Sequence, residues 1–133
     1  MKAQHIVING LAPLVVFAAS LTAIAAAAER VSTVDVTAGK PTEFGFQLSP
    51  PTVRHGAVAF RVTNEGAISH TFKICAGPNG GTANSCSGRV TSLLMPGASA
   101  TMTYTFKVKG SYEYMCTVPG HAAAGMKGRL KVI

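Results

Sequence analysis

The chain has 133 residues, a length that fits one ordinary domain and leaves little room for two. Hydrophobic residues make up 47% and charged residues only 13%, against a usual charged share of about 25%, so the composition excludes a disordered chain. The formal net charge is +7, but the basic residues are scattered singly. The charge therefore predicts attraction to acidic protein partners and not to nucleic acid.

The N-terminal segment has the pattern of an export signal. Lys2 precedes an uncharged, apolar stretch over residues 6–28, which ends in four alanines before Glu29. We predict that residues 1–28 are a signal peptide and that residues 29–133 form the exported domain, in the periplasm. About 20 apolar residues can also span a bilayer, so the alternative is an anchor retained at the outer face of the cytoplasmic membrane. Removal of the segment leaves 11 basic and 5 acidic side chains, a net charge of +6.

After residue 30 the apolar residues recur at alternate positions, which is the period of β-strands. The clearest case is residues 100–108, where apolar residues alternate with threonines and a lysine. Further strands are predicted over residues 31–37, 44–48, 58–62, 69–75, 89–94, 111–116 and 127–133. Seven or eight short strands separated by turns rich in Gly, Pro and Asn predict an all-β antiparallel sandwich or barrel.

The three cysteines divide into a pair and a single residue. Cys75 and Cys86 flank a segment rich in Gly, Asn and Ser, and in an exported chain we predict a disulfide between them. Metal ligation by this pair is the alternative, although the segment between them contains no His. Cys116 then remains as the odd thiol.

The residues around Cys116 carry the chemistry of the sequence. Cys116, His121 and Met126 follow one another at five-residue intervals, in a segment whose Gly and Pro residues favour a loop. Thiolate, imidazole and thioether together favour copper, and two His, one Cys and a weak axial Met form a blue-copper electron-transfer site. We predict that the second His is His70, at the start of a predicted strand. His55, which follows a Pro-Pro turn beside an arginine, is more simply a surface residue.

The motifs resemble those of the cupredoxins, in particular the azurin, auracyanin and plastocyanin group. The matching motifs are Asn64-x-Gly66, His70-x-Phe72, the run from Cys116 to His121, and Met126-Lys127-Gly128. The resemblance covers essentially the whole chain after the signal segment. It implies a Greek-key β-sandwich with one type 1 copper ion at one end, and one-electron transfer as the activity. The strong ligands implied are His70, Cys116 and His121, and Met126 is the weak axial ligand.

Polar residues beside the ligands are expected to support them. Many cupredoxins carry Asn directly after the first His, where it ties the two ligand loops together. Thr71 stands at that position here, and we expect its hydroxyl to act in a similar way. Ser69 and Thr117 are the other two residues expected next to the ligands.

An electron carrier also needs a port for the electron and a surface for its partner. His121 lies in an apolar stretch, so its ring edge is the expected port. The docking patch predicted around it consists of Val118, Pro119, His121, Ala122 and Ala123. The expected partners are redox proteins with an acidic docking surface, such as c-type cytochromes or an oxidase or reductase, and the protein is expected to be a monomer.

Two other function classes share the same ligands. A periplasmic copper carrier would bind the ion without passing electrons. A copper enzyme of the nitrite reductase type would need an open metal position and additional His ligands. Only three His follow the signal segment, and two of them are predicted ligands, so we do not expect an enzyme.

Overall fold

The computed structural model of the protein describes residues 30–78 and 86–133. The predicted signal peptide lies outside the described residues. In the described part the chain forms nine β-strands and no helix, and therefore no helix that would cross a membrane. The strands are β1 (Ser32–Ala38), β2 (Phe46–Ser49), β3 (Thr52–Val53), β4 (Gly56–Asn64), β5 (Lys73–Cys75), β6 (Gly88–Val90), β7 (Ser99–Phe106), β8 (Gly110–Met115) and β9 (Lys127–Val132).

The strands form two sheets, which confirms the predicted all-β Greek-key sandwich. One sheet has the order β2-β1-β4-β7 and the other the order β3-β9-β8-β5-β6. The prediction of a purely antiparallel arrangement was wrong, because β1 pairs with β4, and β3 with β9, in parallel. The predicted number of strands was also too low. The additional strand is β3, whose two residues are too few to show an alternating pattern.

The core lies between the two sheets and is built from alternate positions of their strands. Val58, Phe60 and Val62 point inward from β4 and are almost fully buried, as are Phe72 and Leu130 from the region of the second sheet. Burial of such a side chain stabilises the fold by roughly 1.5–3 kcal/mol. The core therefore holds both sheets, and the loops at their ends, in a fixed relation.

The predicted strand over residues 69–75 is mostly loop in the structure. β5 begins only at Lys73, and His70 makes an isolated bridge to Leu94, with backbone N···O distances of 3.0 and 2.8 Å. Regular pairing is lost at Phe72, whose carbonyl accepts the backbone N–H of Thr91 at 2.9 Å but whose N–H donates to the hydroxyl of Thr91 at 3.0 Å. His70 thus lies just before β5, at the end of the sheet.

The disulfide between Cys75 and Cys86 is confirmed, with the two Cα atoms 5.5 Å apart. Cys75 is fully buried at the end of β5, where it packs with Met115 and Ala122. Ala122 belongs to the loop between β8 and β9, so one end of the disulfide packs against that loop.

Candidate metal centre

Sheet pairing brings the two ligand-bearing segments to the same end of the sandwich. β5 and β8 are antiparallel neighbours, with Lys73 opposite Met115. His70 lies before the start of β5 and Cys116 lies directly after the end of β8, so both segments leave the sheet at one end. Residues 116–126 then form the connection from β8 to β9.

Backbone hydrogen bonds close the loop of residues 116–126 onto itself. The N–H of Cys116 donates to the carbonyl of Met126, and the N–H of Met126 donates to the carbonyl of His121, both at 3.0 Å. Cys116, His121 and Met126 therefore lie close together where this loop leaves and rejoins the sheet. The loop is a fixed element because its own backbone groups are paired.

The side chains of His70, Cys116 and His121 converge, and one ligand atom from each lies within 4.8 Å of the others. Nδ1 of His70 is 3.2 Å from Nδ1 of His121, which is in turn 3.5 Å from Sγ of Cys116. His70 and Cys116 are fully buried, whereas His121 is partly exposed. Two imidazole nitrogens and one thiol sulfur facing one another form a donor set that suits copper.

Met126 lies against this cluster. It is fully buried and packs with Ala38 and Cys116, and Phe46 and Val118 cover the same small group. The side chain of Met126, which carries a polarizable thioether, therefore contacts Cys116 among apolar neighbours. Ligation by Met126 itself stays a prediction.

Thr71 ties the two ligand segments together. Its N–H donates to Sγ of Cys116 at 3.4 Å, and its hydroxyl lies 3.7 Å from the same sulfur. The hydroxyl also accepts the N–H of Thr117 at 2.8 Å and lies 2.7 Å from the hydroxyl of Thr117. The two threonines therefore join the segments of His70 and Cys116, and their support of a bound copper ion stays a prediction.

Two other predicted residues lie elsewhere. The hydroxyl of Ser69 donates to Sδ of Met95, at 3.0 Å on an exposed part of the surface, and not to a ligand. Ala122 is fully buried against Cys75 and Met115, so it cannot be part of a surface patch. The other residues predicted for the patch fit better, since Val118 is half-buried and Pro119 and Ala123 are exposed.

The structure adds two residues that the sequence pattern did not indicate, both from the loop between β1 and β2. Oε1 of Glu43 lies 2.8 Å from Nε2 of His70. The ring of Phe44 meets that of His121 edge-on, with centroids 5.1 Å apart. Phe44 had been predicted within a strand, but β2 begins only at Phe46. No spacing in the sequence links these residues to the ligands.

The electrostatic surroundings suit metal binding. Burial and the neighbouring His70 lower the pKa of His121, which keeps its ring neutral, as a metal ligand must be. Hydrogen bonds from the N–H of Ala67 and from His70 lower the pKa of Glu43, so its carboxylate is ionised at neutral pH.

His55, the alternative to His70, lies far from the cluster. Its backbone N–H and its ring bond to the carbonyl of Ile133, just beyond the far end of β9. β9 starts next to Met126 and has 6 residues, which span about 20 Å at the usual rise of a strand. The structure therefore brings His70, and not His55, to the other donors.

Comparison with known protein families supports this arrangement. The model of the copper binding proteins of the plastocyanin/azurin family matches residues 32–133. The copper-resistant cuproprotein CopI of Rubrivivax gelatinosus is 34% identical over an alignment of 103 residues, and the match covers 65% of this chain and 59% of the relative. Auracyanin-B of Chloroflexus aurantiacus is 48% identical over 42 residues, or 32% of this chain and 18% of the relative. The chain thus spans less than two thirds of the length of these curated relatives.

Solved structures with the same fold include two of comparable size. Auracyanin A, a "blue" copper protein from Chloroflexus aurantiacus, superposes with a TM-score of 0.62 at 26% identity, over 78% of this chain and 100% of the other. Rusticyanin from Thiobacillus ferrooxidans superposes with a TM-score of 0.58 at 24% identity, over 76% of each chain, which shows a common fold.

Proposed function

Because the chain belongs to the plastocyanin/azurin family of copper-binding proteins, we propose that it is a small exported protein that shuttles single electrons between redox partners. Its cofactor is one type 1 copper ion, which when bound supplies a one-electron couple between Cu(II) and Cu(I). The observation that carries the proposal is the buried cluster of two imidazole nitrogens and one thiol sulfur within 4.8 Å of one another.

His70, Cys116 and His121 are the strong ligands in this proposal, and Met126 is the weak axial ligand. The inward-facing Nδ1 atoms of the two rings are the nitrogen donors, because Nε2 of His70 is already bonded to Glu43. The sulfur of Cys116 accepts the N–H of Thr71, which tunes its electron density. The loop of residues 116–126 is closed by its own backbone hydrogen bonds, and Thr71 ties it to the segment of His70. The donors therefore need little rearrangement when the charge of the ion changes.

The electron enters and leaves through the exposed edge of His121 in this proposal. Phe44, 39% exposed, lies against that ring, and Pro119 and Ala123 are exposed next to it. Together they form a small apolar surface of the kind that suits brief encounters between redox proteins. The net charge of +6 after removal of residues 1–28 would steer an acidic partner, such as a c-type cytochrome, and this steering weakens as salt rises.

The test starts with the purified domain and one equivalent of Cu(II). We expect an intense visible thiolate-to-copper band and a narrow copper hyperfine splitting, and we expect both to vanish in Cys116→Ser. A colourless wild-type protein would overturn the copper-site assignment. Electron transfer itself is tested by the self-exchange rate of mixed Cu(I) and Cu(II) protein, measured by NMR line broadening; fast exchange is expected.

A copper carrier is the second candidate function. Its support is the similarity to two proteins named copper-resistant cuproprotein CopI, from Rubrivivax gelatinosus and Pseudomonas aeruginosa. A carrier must release its ion, whereas the ligands proposed here are mostly buried. The rate of Cu(I) transfer to a strong chelator separates the two: an electron carrier retains the ion, and a carrier protein gives it up quickly while its electron self-exchange is slow.

Export is part of the proposal and has its own test. The mass of the protein isolated from its cells is expected to correspond to a chain that starts at or next to Glu29. A full-length mass with membrane association would indicate a retained anchor instead.

A further inference from the structure

We propose that Glu43 is a positioning residue for the copper site, which orients His70 and biases the site toward Cu(II). The inference rests on the proposed function, because it requires His70 to be a ligand. Glu43 is not a ligand in this proposal. It acts through the nitrogen of the His70 ring that faces away from the metal cluster.

The contact between the two side chains is close and directional. Oε1 of Glu43 lies 2.8 Å from Nε2 of His70, whose side chain is fully buried, while the side chain of Glu43 is 31% exposed. An ionised carboxylate only accepts hydrogen bonds, so Nε2 carries the ring proton and donates it. Nδ1 then keeps its lone pair, and this is the atom that faces His121. The bond thus fixes the tautomer that a copper ligand needs.

The same carboxylate holds the loop that carries His70. It accepts the N–H of Ala67, at 3.1 and 2.9 Å from its two oxygens, and the N–H of Ile68 at 3.2 Å. With both oxygens engaged by backbone, the carboxylate cannot turn away from His70 without breaking these bonds. Glu43 is therefore a fixed part of the site and not a mobile surface side chain.

Two glycines make room for this arrangement. A Cβ on Gly66 would collide with Oε1 of Glu43 and would lie 2.9 Å from Nε2 of His70. A Cβ on Gly39 would collide with the backbone of Gly66, and Gly39 has a φ of 79°, which favours glycine. The loop of Glu43 and the loop of His70 thus pack backbone to backbone, which is the reason that a residue remote in sequence reaches the ligand.

A carboxylate bonded to a ligating imidazole makes that ring a stronger donor and orients it. Cu(II) gains more than Cu(I) from a stronger donor and from a nearby negative charge, because it carries the larger charge. Glu43 should therefore lower the reduction potential of the site. Loss of such a partner typically costs 10–100-fold in metal affinity, and a tenfold loss of Cu(II) affinity alone raises the potential by about 59 mV.

The experiment compares the reduction potentials of wild type, Glu43→Gln and Glu65→Gln. Glu65 is an exposed carboxylate next to Gly66, so its variant removes the same charge close by without touching the bond to His70. We expect Glu43→Gln to raise the reduction potential by the amount that corresponds to about a tenfold loss of Cu(II) affinity relative to Cu(I) affinity. Glu65→Gln should shift the potential several-fold less. Equal shifts in the two variants would mean that Glu43 acts only through its negative charge, and would overturn the proposal.

Two further measurements keep the test decisive. Gly66→Ala changes no charge but displaces the carboxylate, and we expect it to raise the reduction potential as Glu43→Gln does. It therefore serves as the test if Glu43→Gln folds poorly. In copper-free protein, the ring ¹⁵N signals of His70 should show a protonated Nε2 in wild type; a protonated Nδ1 would also overturn the proposal. A wild type without a blue band would refute the copper function itself, which is a different outcome.

Discussion

Nδ1 of His70 and Nδ1 of His121 face each other at a distance of 3.2 Å, although the two residues are 51 positions apart in sequence. Between two neutral rings this contact is one hydrogen bond, in which one nitrogen donates and the other accepts. Sγ of Cys116 lies next to the same pair. The fold thus brings together three donors that come from segments far apart in the sequence.

The assignment of His70 over His55 is tested by substitution. We expect His70→Ala to lower Cu(II) affinity by at least about 100-fold and to remove the blue band, because one strong ligand is lost. His55→Ala is the matched control, since His55 is exposed and bonds to Ile133 at the other end of β9. Its copper titration should equal that of wild type. A loss of the blue band in His55→Ala alone would refute the assignment.

Thr71 offers a second test, because its hydroxyl joins the two ligand loops. Thr71→Val keeps the shape but leaves the N–H of Thr117 without its acceptor. We expect the free energy of unfolding of the copper-free protein to fall by about 0.5–1.5 kcal/mol, as for the loss of one partly buried hydrogen bond. Urea denaturation measures this change. Thr71→Ser restores the hydroxyl and should recover most of it; a Ser variant as unstable as the Val variant would argue against the bridging role.

The proposed metal-binding role of the loop of residues 116–126 could be predicted from the sequence because the residues that suggest it are close together in the chain. Cys116, His121 and Met126 fall within one short loop, and their side-chain types alone indicate the metal. Long alternating strands such as β7 could be predicted for a similar reason, because one face packs on the core and the other is exposed to solvent. His70 was predicted within a strand but lies just before β5, and its role as a ligand stays a prediction. The hydroxyl of Thr91, which takes the N–H of Phe72 out of the backbone ladder, comes from another segment and leaves no signal near His70.

The places of Glu43 and Phe44 beside the cluster could not be predicted from the sequence. Glu43 is 27 residues from His70, and its reach depends on the close approach of Gly39 to Gly66. Such an approach arises from how two loops pack and leaves no periodic signal. The prediction for Ala122 was wrong for the opposite reason: its place in a loop favours exposure, but it packs on Cys75.

The disulfide is expected to stabilise the fold without defining the copper site. The bridge spans a sequence separation of 11, and its removal in Cys75→Ala/Cys86→Ala should lower the free energy of unfolding by about 3 kcal/mol in the chain-entropy model. The position of the blue band should stay unchanged, since the ligand loops are held by Thr71 and Thr117. Thermal unfolding and the visible spectrum of the same sample measure both effects. A shifted band would mean that the disulfide also shapes the ligand loop.

Tyr112 predicts how stability responds to alkaline pH. Burial raises the pKa of Tyr112 above its ordinary value of 10.0, and its hydroxyl donates to the carbonyl of Val108 at 2.6 Å. Above pH 10 the unfolded chain therefore releases this proton more readily than the folded one, and the free energy of unfolding falls as pH rises through the folded pKa.

Urea denaturation of the copper-free protein between about pH 8 and pH 11 measures this dependence. We expect Tyr112→Phe to be less stable than wild type near neutral pH, because it lacks the bond to Val108, but to lose stability less steeply at alkaline pH. Tyr114, whose pKa is also raised by burial, contributes equally to both proteins. Parallel slopes for wild type and variant would contradict the prediction.

Phe44 tests whether the surface around His121 is the docking site. It is 39% exposed and meets the ring of His121 edge-on, so Phe44→Ala removes apolar contact area beside the proposed port without removing a ligand. A contact residue at the centre of an interface is worth about 1–2 kcal/mol, which corresponds to a decrease of about tenfold in the second-order rate with a c-type cytochrome. Val108→Ala is the control: Val108 is 58% exposed in the turn between β7 and β8, at the other end of the sandwich. We expect stopped-flow rates to fall for the Phe44 variant alone, with its reduction potential close to that of wild type. If both variants react as fast as wild type, the partner must approach the copper through another face.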